Sequence, residues 1–394
     1  MSAFSRLYLD HNATAPLRPE AKQALLFALD LTGNASSPHH EGRKARGLID
    51  KAREKVALLC QCQPQDVIFT SGATEANALA LSPNLTLSGH NTAPKSFDKL
   101  LVMSSEHPSV LAGHGFSSED TVILPVLPDG RLDREALQDH LEIMKSTGIS
   151  PLVSIQAANS ETGVLQDIAS LSLLVHQAGG LLHVDAVQAA GRLPLDAQCA
   201  GADMLSLSAH KIGGPQGVGA LVIRSGGIHF GKPLLRGGGQ EQGRRSGTEN
   251  VAALHAFGAA CEAALESLSA EEIRLSLLRD QLISGLRQID PDLVVFGEAA
   301  ARLPNTIYFA PSFIDAQTAL MRFDLSGVSL SSGSACSSGK VKDSHVLMAM
   351  GVAPALRKKA LRLSLGWSST IEDVTRFCDL FEKEFKQKGG ARAA

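Results

Sequence analysis

Leu181-Leu-His-Val-Asp185-Ala-Val-Gln188 and Met204-Leu-Ser-Leu-Ser208-Ala-His-Lys211 decide how the chain is read. Each is a short apolar run with strand character, and each delivers an ionisable side chain at or just past its end. The first delivers a carboxylate, the second an amine. Ahead of the first run stands a helical pattern with apolar positions at Ile168, Leu171, Leu174, Val175 and Ala178, closed by Gly179-Gly180. Leu152-Val-Ser-Ile-Gln156 precedes that helix as another strand, and Ala220-Leu-Val-Ile-Arg224 follows the lysine. Further back, Leu100-Leu-Val-Met103 and Val67-Ile-Phe-Thr70 read as strands, the latter passing through Ser71-Gly-Ala-Thr74 into a helix over Glu75 to Leu81. Strands alternating with helices predict an α/β domain whose mostly parallel sheet is covered on both faces. After about residue 265 the pattern changes. An amphipathic helix (Ile273, Leu278, Leu282, Leu286, Ile289) runs to Pro291 and leads into strands at Leu293–Phe296, Thr306–Phe309 and Leu361–Leu365. A last helix opens at Thr370, where Thr370-x-x-Asp373 has the spacing of a capping box. The expected division is a large α/β domain up to residue 264 and a smaller α+β domain over 265–394.

The chain has 394 residues, 44% hydrophobic and 20% charged, which suits a full globular core and excludes disordered, collagen-like and fibrous classes. Lys+Arg (37) nearly balance Asp+Glu (40) and form no dense block, which argues against nucleic acid as the main ligand. No apolar run approaches the ~20 residues of a membrane span, and the N-terminus has no apolar leader core. The expectation is a soluble, cytoplasmic protein. Six cysteines (Cys60, Cys62, Cys199, Cys261, Cys336, Cys378) are too sparse for a disulfide framework. Cys60-x-Cys62 has no second pair at zinc-like spacing and reads as two small apolar side chains near a helix end. Asn12-Ala-Thr14, Asn34-Ala-Ser36 and Asn84-Leu-Thr86 match the glycosylation pattern but, without a leader, carry no weight.

The glycine-rich segments invite a nucleotide reading and fail it. Gly214-Pro-Gln-Gly217-Val-Gly219 enters a strand, whereas a dinucleotide fingerprint leaves a strand and opens a helix, and there is no P-loop. Ser71-Gly72-Ala73-Thr74 does lie between strand and helix, where backbone N–H groups and the Thr74 hydroxyl form a phosphate seat. Taken alone it is equally an ordinary helix start. A carboxylate at the end of a buried strand, Asp185, needs a partner. A lysine just past an apolar strand, Lys211, is a candidate Schiff-base amine, because desolvation favours its nucleophilic form. Each has a bland alternative: a loop-capping acid, a surface lysine. Together a phosphate seat, an acid for a pyridinium nitrogen and an amine for an aldehyde are what pyridoxal 5'-phosphate requires of a protein.

With these residues in view the sequence resembles the cysteine desulfurases of the NifS and IscS type, in the class V aminotransferase family of pyridoxal-phosphate enzymes of fold type I. The resemblance runs from Tyr8-Leu-Asp-His-Asn-Ala-Thr14 to Arg362-Leu-Ser-Leu-Gly366. Between them it passes through Gly33-Asn34-Ala-Ser-Ser-Pro-His39, Ser71–Glu75, Glu106-His107, Asn159-Ser-Glu-Thr-Gly163, Asp185–Gln188, Ser208–Lys211, Gly237–Thr248 and Ser332-Gly-Ser-Ala-Cys336. It implies a seven-stranded, mostly parallel sheet in the large domain, 16–264, with an N-terminal segment, 1–15, packing against the small domain. By resemblance Lys211 binds the cofactor covalently, Asp185 pairs with its pyridine nitrogen, Gln188 bonds its phenolic oxygen and His107 stacks on the ring and handles protons. Ala73, Thr74, Ser208 and His210 match phosphate-site residues. Thr248 matches a phosphate ligand donated by the other subunit of a homodimer with shared active sites. Asn159 and Arg362 match the pair that clamps the substrate carboxylate, with Asn34 a further substrate-side residue; a bidentate arginine suits that planar group. Two positions depart from the family: Ala157 stands where many relatives have histidine, and Asn34-Ala35 replaces Asn-Pro.

Cys336 sits in Ser331-Ser-Gly-Ser-Ala-Cys-Ser-Ser-Gly339, a run without a large side chain. A lone cysteine is ordinarily a buried small hydrophobe. These flanks point instead to an exposed, mobile loop, and the resemblance makes Cys336 the sulfur acceptor. The implied reaction takes L-cysteine to L-alanine. Lys211 removes the α-proton, the Cys336 thiolate takes the substrate sulfur as a persulfide, and an acceptor protein such as an iron–sulfur scaffold receives it. The rivals are a selenocysteine lyase, an aminotransferase of the same superfamily, and a non-catalytic scaffold that keeps the fold.

Overall fold

A computed structural model of the chain describes residues 6–88, 94–333 and 343–389. At its centre is a seven-stranded sheet made of β1 (Val67–Thr70), β2 (Lys99–Met103), β3 (Thr121–Leu124), β4 (Pro151–Gln156), β5 (Leu181–Asp185), β6 (Met204–Ser208) and β7 (Gly219–Ile223). The order across the sheet is β1-β7-β6-β5-β4-β2-β3. The pairs from β6 through to β3 are parallel, and β7 runs antiparallel to both its neighbours. β4 to β7 are buried along their whole length, as a sheet covered on both faces demands. Edge strand β3 escaped the sequence reading because it is four residues long and half open, with Ile123 52% exposed. Side chains also cross the middle of the sheet: Ser154 Oγ lies 2.9 Å from His183 Nδ1, and Ser206 Oγ 2.9 Å from His183 Nε2. Burial pushes His183 down to about 4, so this ladder is neutral.

Helices α1 (Pro19–Leu29), α2 (His40–Cys60) and α6 (Val251–Ile289) pack on one another. α6 is continuous across the expected boundary at 264/265. The core it serves changes between Ala264, which belongs to the large cluster, and Leu275, which belongs to that of the C-terminal part. By length and composition α6 could cross a membrane, a property no single apolar run reveals; here its apolar face is buried against α1 and α2. Cys60, at the end of α2, is a fully buried member of the large core.

The smaller unit is built on β8 (Val294–Val295), β9 (Thr306–Ala310) and β10 (Leu361–Ser364). Its closing helix α8 (Ile371–Gly389) starts at the anticipated reciprocal cap, with Thr370 N donating to Asp373 Oδ2 at 2.9 Å and Asp373 N to Thr370 Oγ1 at 3.3 Å. From α8, Phe377 and Phe381 bury themselves against Phe309 and Phe323, and each such ring contributes about 1.5–3 kcal/mol of burial. Leu7 and Leu9 join this same core, and Leu7–Tyr8 pairs in parallel with Val328–Ser329. The N-terminal segment is thereby held on the small unit while residues 10–14 reach back to the end of β6.

Candidate active site

The carboxyl ends of β1, β2, β4, β5 and β6 all face one edge of the sheet, where open parallel sheets place their ligands. β1 delivers Gly72 and the first turn of α3 (Ala73–Ala80). Gly72 has φ 154°, and a side chain on the facing Gly219 would put its Cβ 2.7 Å from Gly72 Cα, so neither position tolerates another residue. No side chain caps α3, which leaves the N–H groups of Ala73 and Thr74 directed outward. Ser208 stands at the N-cap of α5 (Ala209–Ile212) and its hydroxyl does not cap that helix either. Burial and the neighbouring Lys211 push His210 down to about 4, so its imidazole is neutral, with Nδ1 3.1 Å from Thr14 Oγ1.

Asp185 ends β5, 8% exposed. Its oxygens accept from Asn77 Nδ2 (3.0 Å) and Val187 N (3.0 Å), and among the described residues no cation lies within ion-pair distance. Lys211, on α5, is half-buried, and its Nζ donates to the carbonyls of Asn12 (2.6 Å) and Ala13 (2.8 Å). With no carboxylate in contact among the described residues, burial and the guanidinium groups of Arg362 and Arg192 push its pKa down to about 7. A substantial neutral fraction therefore exists near neutral pH. Gln188 is buried, donating from Nε2 to Asn12 O (3.1 Å) and accepting on Oε1 from Arg192 (2.6 Å).

His107 caps the short α4 (Pro108–Leu111) and is exposed at the mouth of this edge. Desolvation lowers its pKa, Asp185 opposes this, and Lys211 and His345 lower it further. Asn159 is buried: Oδ1 accepts from Glu161 N, Thr162 N and Thr162 Oγ1, while Nδ2 donates to Ser105 O at 3.1 Å. Only one amide hydrogen is left for a substrate. Arg362, on β10, pairs with Asp10 (2.7 Å) and donates to Ser160 O (2.9 Å), and its buried Nε has no partner among the described residues. That leaves a guanidinium aimed by an acid and still holding a donor. Ala157 is fully buried, its N–H on Asp185 O, so the methyl group substitutes for any ring at the end of β4.

Lys211, Asp185, Gln188, His107, Asn159 and Arg362 thus gather on one edge with the α3 turn, Ser208 and His210. Asn34 and Thr248 do not join them within one chain. Both are exposed, with Asn34 Oδ1 accepting from Ser36 N at 2.8 Å. The segment carrying Thr248 is tied to the start of α3 through Arg245–Glu75 (2.9 Å). Cys336 lies outside the described residues. Those flanking it are anchored beside Arg362. Ser331 pairs with it through the backbone, Tyr308 Oη donates to Ser332 O (2.9 Å), and Ser344 Oγ donates to buried Glu161. His345, on α7 (His345–Ala349), contacts Glu106 O through Nε2 at 2.8 Å. Sequence reasoning missed Asn77, Ser109, Asp10 and Asn12 as site residues. The available signals were an asparagine on the apolar side of α3 and the polar run Asp10-His-Asn12 inside a quoted motif.

A model of the aminotransferase class-V family matches residues 7–377. Over 381 residues the chain is 39% identical to a protein named cysteine desulfurase IscS from Dictyoglomus turgidum, covering 96% of this chain and 94% of that one. The chain belongs to the cysteine desulfurases of the class-V aminotransferase family. The same family likeness holds in three dimensions. A NifS-like protein from Rickettsia africae superposes with a TM-score of 0.85 at 33% identity, covering 97% of this chain and 99% of that one. A structure described as SspA in complex with cysteine gives 0.75 at 27% identity, covering 91% and 98%.

Proposed function

We propose that the chain is a pyridoxal-phosphate-dependent cysteine desulfurase, converting L-cysteine to L-alanine and passing the sulfur through a Cys336 persulfide to an acceptor protein such as an iron–sulfur scaffold. The carrying observation is the shared pocket of Lys211, Asp185 and the uncapped turn of α3. It holds an amine shifted to about 7, a carboxylate with neutral partners only, and outward N–H donors. Pyridoxal phosphate fits that set, and when bound it supplies an aldehyde for an amine and a ring that withdraws electrons from a substrate's α-carbon. Ala73 N, Thr74, Ser208 and His210 would hold its phosphate, Asp185 would keep a proton on its ring nitrogen, and Gln188 and His107 would contact the ring. Lys211 takes the α-proton of the substrate, and Arg362, steadied by Asp10, binds the substrate carboxylate.

A homodimer accounts for Thr248, exposed here beside α3 and available to a second subunit's pocket. Placement in the cytoplasm is supported by the described cysteines, all free thiols. The test is product analysis with cofactor-loaded protein, L-cysteine and reductant. Equal sulfide and alanine are expected. Turnover of selenocysteine alone would establish the lyase, a requirement for a keto acid the aminotransferase, and no cofactor absorbance the silent scaffold. Arg362→Lys keeps the charge and loses the fork, so KM for cysteine should rise about 10- to 100-fold, the effect of one or two charge-assisted hydrogen bonds, with a smaller change in kcat. Steady-state kinetics checks it.

A further inference from the structure

We propose that Asn77 and Ser109 are positioning residues that lock the tautomer of His107 and aim the Asp185 carboxylate, so that the two act as one oriented unit. Asn77 lies within α3 and is fully buried. Its Nδ2 is 3.0 Å from Asp185 Oδ2 and 2.9 Å from Ser109 Oγ. Carboxylate oxygens only accept, so the amide nitrogen must face Asp185 and both its hydrogens are committed. Ser109 Oγ, accepting one of them, keeps its own hydrogen, and His107 Nδ1 lies 2.7 Å away. The backbone N–H of Ser109 points to the same nitrogen at 3.1 Å. Two donors converge on Nδ1, so the single proton of a neutral His107 sits on Nε2 and is presented to the pocket.

The relay is kept at a cost. Asn77 Oδ1 is buried without a partner among the described residues, and asparagine is a poor helix former, so an apolar residue would suit α3 better if packing were the only demand. Among the described residues, the charged and titratable groups facing His107 are Asp185 from the end of β5, Lys211 from α5 and His345 from α7. Asp185 favours the imidazolium; Lys211, His345 and desolvation oppose it. Donors on Nδ1 bond only the neutral ring, so removing one moves the His107 pKa up.

The proposal rests on His107 and Asp185 facing the cofactor, and its test does not depend on turnover. In full-length, cofactor-loaded protein labelled with nitrogen-15 at histidine, the ring shifts of His107 are followed against pH. Wild type should show the Nε2–H tautomer. Ser109→Ala, which removes one of the two donors on Nδ1, should raise the His107 pKa by about one unit; Asn77→Ala, which frees the Ser109 hydroxyl to turn, should raise it by less; and Ser109→Thr restores the wild-type curve. An Nδ1–H tautomer in wild type, or superimposable titrations in both alanine variants, would overturn it. If His107 responds as stated but cysteine is not consumed, the relay stands and the desulfurase reading falls. Cysteine turnover with His107 unmoved gives the reverse.

Discussion

Lys211→Ala should lose cysteine turnover by on the order of 10⁴-fold or more, the upper range for removing a positioned general base, while the protein still folds. The fold is spared because, among the described residues, the amine donates only to two backbone carbonyls of the N-terminal segment and pairs with no buried acid. Lys211→Arg should not rescue, since a guanidinium stays protonated and cannot serve as base or nucleophile. The environment adds a pH signature. Burial, Arg362 and Arg192 favour the neutral amine, which dominates above about pH 7 and is replaced by the ammonium form below it. In cofactor-free wild type, capture of an added aldehyde should therefore be half-maximal near pH 7, fall about tenfold per unit below that and level off above, whereas an ordinary lysine continues to gain up to about pH 10.4. Trapping the adduct with borohydride at a series of pH values measures it.

Cys336→Ala separates sulfur transfer from everything before it. Lys211, Asp185, Gln188 and the α3 turn are untouched by this change. The variant should bind cofactor and L-cysteine as wild type does and form no persulfide, with alanine and sulfide falling to background. The transfer itself balances without an outside redox partner. The carbon–sulfur bond of cysteine breaks, the Cys336 thiolate bonds the released sulfur, and the substrate carbon is reprotonated to alanine. Of the described residues that flank this segment, Ser331 is joined to Arg362 through the backbone, and Ser344 and Tyr308 meet at buried Glu161.

How much of this was legible follows from the range over which each feature is decided. The strands of the central sheet were readable because their apolar runs are local, and Asp185 and Lys211 because each follows its own strand at once. The partners that tune them are not local. Asn77 meets Asp185 across 108 positions and Asp10 meets Arg362 across 352, separations at which no pattern in one sequence indicates contact. The change of pattern near 265 was legible, but not that one unbroken helix runs through it and changes core between Ala264 and Leu275. Asn159 was legible as a residue but not in its use: most of its amide is consumed in holding its own loop. Thr248 is exposed, and the role proposed for it rests on a second chain, which no pattern within one chain can display.

The most direct test of the account is a single turnover of cofactor-loaded wild type with L-cysteine and no reductant, read by mass spectrometry of the peptide carrying Cys336 alongside an alanine assay. The account predicts one added sulfur on Cys336 for each alanine released, with none on the other cysteines. Alanine released while Cys336 stays unmodified, or a Cys336→Ala variant with full desulfurase activity, would contradict it.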